Sequence, residues 1–183
     1  MRRYTYDAKN YPLSEIALGS IQKHYPDVQD LSLLHEYVPA KKIGELAKII
    51  GKDLADTNFY EIFDKLLNDY VSLGEILVQR FGNIRINIPN QDKDGTVLPF
   101  HQGQWVGNGL GLRTVWLPFT DAYDSNSLQI VNLMDSREIT DACKEWDYPR
   151  LQEECQKSCE PVNIKKGQFI LFTQEHIHGA APN

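Results

Sequence analysis

Ile84-Arg85-Ile86-Asn87-Ile88 alternates apolar and polar side chains, and its reading decides the fold class. A period of two puts the isoleucines on one face of a strand, with Arg85 and Asn87 on the other. The preceding residues, 12–81, keep a helical period. Ser14 is a candidate cap for a helix carrying Ile16, Leu18 and Ile21, and Pro26 follows its end. Pro39 suits the first turn of a second helix, where Ile43, Leu46, Ala47 and Ile50 form an i, i+3, i+4, i+7 stripe. A third, capped by Asp56, Thr57 or Asn58, carries Phe59, Ile62, Phe63, Leu66, Leu67, Tyr70 and Leu73 on one face. These stripes need an apolar surface to lie on.

Downstream, turn signals separate short strands at about Thr96 to Gln102, Leu110 to Phe119, Leu128 to Met134, Gln168 to Thr173 and His176 to Ala181. The punctuation is Asp94-Gly95, Gly107-Asn108-Gly109, Asp124-Ser125-Asn126 and Lys166-Gly167. Residues 137–159 are charged and helical in pattern, an insertion that would cover a barrel mouth and end at Pro161. The expectation is one α+β domain over 1–183, with helices in 1–81 packed on one face of a small jelly roll in 82–183. Alternation alone leaves both faces open for Arg85, toward a ligand cavity or toward solvent.

The 183 residues are 42% hydrophobic and 24% charged, values of an ordinary globular chain. No run approaches the roughly 20 apolar residues of a membrane span, and Met1-Arg2-Arg3-Tyr4 is not a signal-peptide stretch. With 19 basic and 25 acidic residues the net charge is −6, without a basic block, which argues against nucleic acid and anionic membranes as partners. Cys143, Cys155 and Cys159 make no disulfide framework, and no further ligands complete a zinc site around them. They read as reduced thiols of a cytoplasmic protein.

Of five histidines, His24 and His35 fall among ordinary amphipathic residues. His101 ends a predicted strand in Leu98-Pro99-Phe100-His101-Gln102-Gly103, and His178 lies in the last strand within His176-Ile177-His178-Gly179. A jelly roll can bring such strand ends together, and two neutral imidazoles facing one cavity begin a divalent-metal site. Trp105, Asn108 and Gln129 could shape a substrate pocket, since a ring covers the apolar face of a sugar while amides meet its hydroxyls.

The run from Arg80 onward resembles the phytanoyl-CoA-dioxygenase-like branch of the Fe(II)/2-oxoglutarate oxygenases. The matching pieces are His101-Gln102-Gly103, Thr114-Val115-Trp116-Leu117-Pro118-Phe119, Asp124-Ser125-Asn126-Ser127-Leu128, and Lys166-Gly167-Gln168-Phe169-Ile170-Leu171-Phe172 leading to His178-Gly179 and Asn183. More narrowly, it is similar to the oxygenases of sporadic carbohydrate-biosynthesis clusters. The resemblance implies a double-stranded β-helix of cupin-like form, with His101 and His178 holding Fe(II). His176 is the competing ligand, and Gly179 directly after His178 favours the latter. The implied activity is a hydroxylase-type, 2-oxoglutarate-dependent oxidation of a small biosynthetic substrate, a sugar or nucleotide-sugar.

The usual third ligand, a carboxylate two residues after the first histidine, falls on Gly103, which has no side chain. That departure implies a halide beside Gly103, as in related halogenases, or a substitute donor such as Gln104, or a weakened site. A non-catalytic cupin-like sugar-binding module is the rival of a different class. The arginine that usually pairs the far carboxylate of 2-oxoglutarate lies about ten residues past the distal histidine, and the sequence ends at Asn183. Arg85 and Arg113 are the candidates to replace it, with Thr114 adding a hydroxyl.

Overall fold

In the computed structural model, residues 1–71, 77–79, 82–89 and 98–181 are described. Leu73, Arg80, the turn Asp94-Gly95, Thr96 and Asn183 of the sequence reading lie outside them. The helical half follows its apolar periodicity. Helix α1 spans Leu13–Gln22, directly after Pro12, so Ser14 sits inside the first turn rather than capping it. A four-residue helix α2 (Leu34–Tyr37) and a 3-10 turn at Ala40–Lys42 lead into α3 (Ile43–Ala55). There Ile43, Leu46, Ile50 and Leu54 are buried along one stripe, as the spacing requires. Helix α4 (Phe59–Tyr70) begins after Thr57, whose hydroxyl accepts from Phe59 N (3.2 Å) and donates to the Leu54 carbonyl (2.8 Å). Helix α1 packs against both α3 and α4. None of the helices among the described residues is long and apolar enough to cross a membrane.

The strands are β1 (Arg2–Thr5), β2 (Arg113–Trp116), β3 (Leu128–Val131), β4 (Cys159–Pro161), β5 (Gln168–Thr173) and β6 (His178–Ala180). They form two antiparallel three-stranded sheets, ordered β1-β5-β2 and β4-β3-β6. β1 has no alternating signal in its sequence. It is held by its ladder to β5 and by Tyr4 stacking on Phe169, with ring centroids 4.9 Å apart.

β5 decides the layering. Its alternate residues point to opposite faces, and all four central ones are buried. Phe169 and Leu171 join the core beneath the helices, with Leu13, Ile50, Leu54 and Leu66. Ile170 and Phe172 join a second cluster with Ile130, Val162 and Ile164, between the two sheets. β3 repeats the pattern, since Ile130 faces the inter-sheet cluster. Its neighbour Val131 packs with Ile139, Cys155 and Ile177 under helices α5 (Leu133–Ala142) and α6 (Tyr148–Ser158). The order is therefore helices, sheet, sheet, helices.

Several expectations are corrected. Among the described residues the sheets do not close into a barrel, because the strands are only three to six residues long and helices and 3-10 turns interrupt them. The helical insertion starts at Leu133 rather than Arg137, cutting the predicted Leu128–Met134 strand short. The reason is Asn132, whose Oδ1 accepts from Asp135 N (3.0 Å) and whose Nδ2 donates to the Asp135 carboxylate (2.8 Å), capping α5. Residues 82–89 form no strand, yet their alternation survives: Ile88 is buried and Ile84 and Ile86 pack on the helical core, while Arg85 and Asn87 are exposed. Residues 98–100 carry no ladder, and only an isolated bridge at His101 marks the predicted Thr96–Gln102 strand.

Candidate metal centre

The segments 98–103 and 174–180 lie side by side, antiparallel. Ala180 N donates to the Leu98 carbonyl (2.9 Å), His101 N to the His178 carbonyl (3.0 Å) and His178 N to the His101 carbonyl (3.0 Å). Gln102 Nε2 donates to the Glu175 carbonyl at 2.6 Å. Gly179 permits this approach: a Cβ there would lie 3.1 Å from the Leu98 carbonyl oxygen, from Phe100 Cα and from Phe100 Cδ1. At the start of β6, His178 and the preceding Ile177 point to opposite sides, Ile177 under α5 and α6 and His178 toward Phe172.

The two sequence-predicted histidines, distant in the chain, thus meet as directly paired residues. Their ring centroids are 4.4 Å apart, with 50° between the planes. Each Nδ1 lies against the carbonyl two residues earlier, His101 on Pro99 at 3.0 Å and His178 on His176 at 3.1 Å. A carbonyl only accepts, so each Nδ1 carries the hydrogen and each Nε2 keeps its lone pair. Backbone clamps of this kind fix the tautomer and orientation of metal-binding imidazoles. His178 is 9% exposed. Burial pushes its imidazolium down to about 4, against the carbonyl hydrogen bond that favours the charged form, with the charges of His101 and His176 adding to the depression. His176, the competing ligand, has its Nδ1 engaged with the Thr173 hydroxyl at 2.9 Å, and burial lowers its pKa too.

The place beside Gly103 is the main surprise. Gly103 is buried with φ −59° and ψ −33°, a backbone any residue adopts. A Cβ there would lie 1.7 Å from Gln174 Oε1 and 2.7 Å from Gln174 Cδ. The space that a side chain at 103 would enter is therefore filled by the Gln174 carboxamide. Its Nε2 donates to Thr114 Oγ1 (2.9 Å) and its Oε1 accepts from Asn108 Nδ2 (3.0 Å). Gln104, the substitute named from sequence, instead opens a 3-10 turn, Gln104–Val106. Gln174 was missed because its partner lies 71 residues away. The one available signal was its place in the turn that carries His176 and His178.

The remaining candidates separate into two groups. Thr114 (on β2) and Asn108 converge on Gln174. Trp105 is 36% exposed, next to the exposed apolar residues Val106, Leu110 and Leu112. Gln129 is buried, and its amide donates to the carbonyls of Asp124 (2.8 Å) and Ser127 (3.3 Å), so it ties down the turn before β3. Arg113 Nη1 folds back on the carbonyls of Leu110 and Leu112, both at 2.9 Å. Arg85 is exposed.

Two backbone-clamped imidazoles thus lie side by side in a mixed helix-and-sheet chain with two small antiparallel sheets. The chain belongs to the phytanoyl-CoA dioxygenase (PhyH) family, whose sequence model matches residues 48–183. No curated protein and no solved structure matches it significantly. Membership points to a dioxygenase, in a family typically dependent on Fe(II) and 2-oxoglutarate. The donor chemistry fits a divalent metal: two imidazoles whose Nδ1 atoms face carbonyls, which leaves Nε2 of each ring as the metal-binding atom. Among the described residues, no group of three or more His, Cys, Asp and Glu side chains is placed to hold one.

Proposed function

We propose that the protein is an Fe(II)/2-oxoglutarate-dependent oxygenase of hydroxylase type, acting on a small biosynthetic substrate such as a sugar or nucleotide-sugar. In this reading the two sheets are the halves of a cupin-like double-stranded β-helix, and His101 and His178 hold the iron. The observation that carries it is the paired, backbone-clamped His101 and His178 in a chain of this family. The chemistry supplied by bound iron, 2-oxoglutarate and O2 converts a substrate C–H to C–OH, while 2-oxoglutarate becomes succinate and CO2.

The chain's own residues do the positioning. Pro99 and His176 carbonyls hold the rings so that both Nε2 atoms present lone pairs without reorganisation. Burial keeps His178 neutral at physiological pH, so it binds metal without first losing a proton. Phe172 packs edge-on against His178, with centroids 4.9 Å apart, and closes one side of the centre with apolar surface. For 2-oxoglutarate, Arg113 stands beside Thr114 on β2, and its planar fork suits a carboxylate. Arg85 is the alternative. Trp105 and Asn108 are offered as the sugar-facing ring and amide, and the three free cysteines accord with a reducing, cytoplasmic setting.

The test is anaerobic addition of Fe(II) and 2-oxoglutarate to the protein. A weak visible charge-transfer band is expected, absent from His101→Ala and His178→Ala, with succinate formed when O2 is admitted. A protein that gives no band and no succinate is not this enzyme, and the sugar-binding module then becomes the better reading.

A further inference from the structure

Gln174 has no assigned role, yet it is 4% exposed and its carboxamide is fixed at both ends. The two segments stay side by side beyond the His101–His178 pair, but their register shifts: the Gln102 side chain reaches the Glu175 carbonyl, and the Gln174 carboxamide reaches the side-chain space of Gly103. Gly103 is two residues past one histidine and Gln174 four before the other, so their contact flanks the pair. The atom lodged in the side-chain space of residue 103 is Oε1, 1.7 Å from where a Cβ would be. In this orientation both ends are paired, Oε1 accepting from Asn108 Nδ2 and Nε2 donating to the Thr114 hydroxyl. A carbonyl oxygen has two lone pairs, and Asn108 takes one of them.

We propose that the Gln174 carboxamide oxygen is the third protein donor to the metal, replacing the side chain that Gly103 lacks. This rests on the two-histidine centre proposed above. Oxygen of an amide is a hard, neutral donor suited to divalent ions that also accept imidazole and water. A carboxylate ligand at 103 and a glutamine at 174 exclude each other sterically, so glycine at 103 is the condition for Gln174 to reach in. Thr114 and Asn108 are positioning residues, holding the amide plane as outer-sphere partners hold other ligands.

The experiment uses the whole chain and Co(II) as probe, following the visible ligand-field band and the dissociation constant by calorimetry, with circular dichroism to verify folding. Wild type is expected to bind one Co(II), and His101→Ala to abolish it. Gln174→Leu, which fills the space without a donor, is expected to weaken binding about 10–100-fold and change the band. Gln174→Glu is nearly isosteric, and both the Thr114 hydroxyl and the Asn108 amide can donate to it. Its negative charge beside a dication is expected to tighten binding at least about tenfold. Unchanged affinity and spectrum in Gln174→Leu overturn the proposal and leave Gln174 as packing, with the histidine pair intact. Should Gln174→Leu fail to fold, unchanged affinity in Gln174→Glu overturns it equally. Absence of Co(II) binding by wild type removes the histidine centre itself, and this inference with it.

Discussion

Gly103→Ala should destabilise the protein, and the same substitution should stabilise a Gln174→Ala background. The new Cβ would sit 1.7 Å from Gln174 Oε1 and 2.7 Å from Cδ, so the carboxamide has to withdraw by about 2 Å to reach ordinary van der Waals contact. Withdrawal breaks the bonds to Thr114 Oγ1 and Asn108 Nδ2, at 2.9 and 3.0 Å. Each is worth about 0.5–1.5 kcal/mol, hence about 1–3 kcal/mol together, and more if the amide stays buried without partners. Against this stands a gain. With φ −59° and ψ −33°, residue 103 accepts alanine without strain, and a less flexible unfolded chain favours the variant by about 0.4–1 kcal/mol. The loss wins in wild type, by about 1–2 kcal/mol, which lowers Tm by roughly 2–8 °C at this chain length. With Gln174 truncated only the gain remains. Urea unfolding of wild type, both single variants and the double variant closes the cycle, and the expected coupling is about 1–3 kcal/mol. If Gly103→Ala has the same effect in both backgrounds, the two residues do not share the space, and the filled position beside Gly103 is wrong.

Gly179→Ala places a Cβ 3.1 Å from two backbone atoms of the 98–100 segment, which cannot rotate away as a side-chain tip does. It should cost about 1–3 kcal/mol by urea unfolding and weaken Co(II) binding by shifting His101, whereas an unaltered affinity would show that the segment pairing does not set the ring geometry. Phe169 and Phe172 are three residues apart on β5, both buried but on opposite faces. Alanine at either should cost about 3–5 kcal/mol, but only Phe172→Ala, which removes the ring against His178, should also lower Co(II) affinity. Burial pushes the Cys155 thiol up to about 11, with smaller contributions from Cys143, Cys159 and Glu154. Since the folded value is raised, the stability linked to this group is full below the unfolded thiol's value and is lost as pH climbs toward about 11. Near pH 8, a chromophoric disulfide reagent should modify Cys155 only after unfolding, so reaction of all three thiols in the native protein contradicts the burial.

Most of the helical half was legible because amphipathic spacing is a local property. The stripes of α3 and α4 name their own buried residues, and β5 announced itself by the apolar run Phe169-Ile170-Leu171-Phe172 after the turn Lys166-Gly167. What failed was what depends on partners. β1 is Arg-Arg-Tyr-Thr, polar enough to read as a free end, and only its ladder to β5 makes it a strand. Ile84, Ile86 and Ile88 show the converse. Their alternation foretold burial correctly although residues 82–89 form no strand, because alternating burial needs only an apolar surface on one side. The early start of α5 was available locally, in Asn132 and Asp135, and was hidden by the apolar run Leu128–Val131 preceding it.

The site divides along the same line. The convergence of His101 and His178 was legible as that of two histidine-bearing strand ends, whereas the close backbone approach at Gly179 emerges only once the two segments pair. Gly103 could not be read that way. A glycine in a sequence records only that a residue brings no side chain of its own, and says nothing about which atoms occupy the space. Here the space belongs to Gln174, and the glycine is required by that neighbour rather than by its own backbone, which lies in a region open to every residue. The consequence for function is direct. An empty position beside the histidines would favour an incoming anion, because nothing there opposes it. A buried carboxamide already fills the side-chain space of residue 103. Any reading that puts another ligand into that space, a halide included, would need Gln174 to leave first.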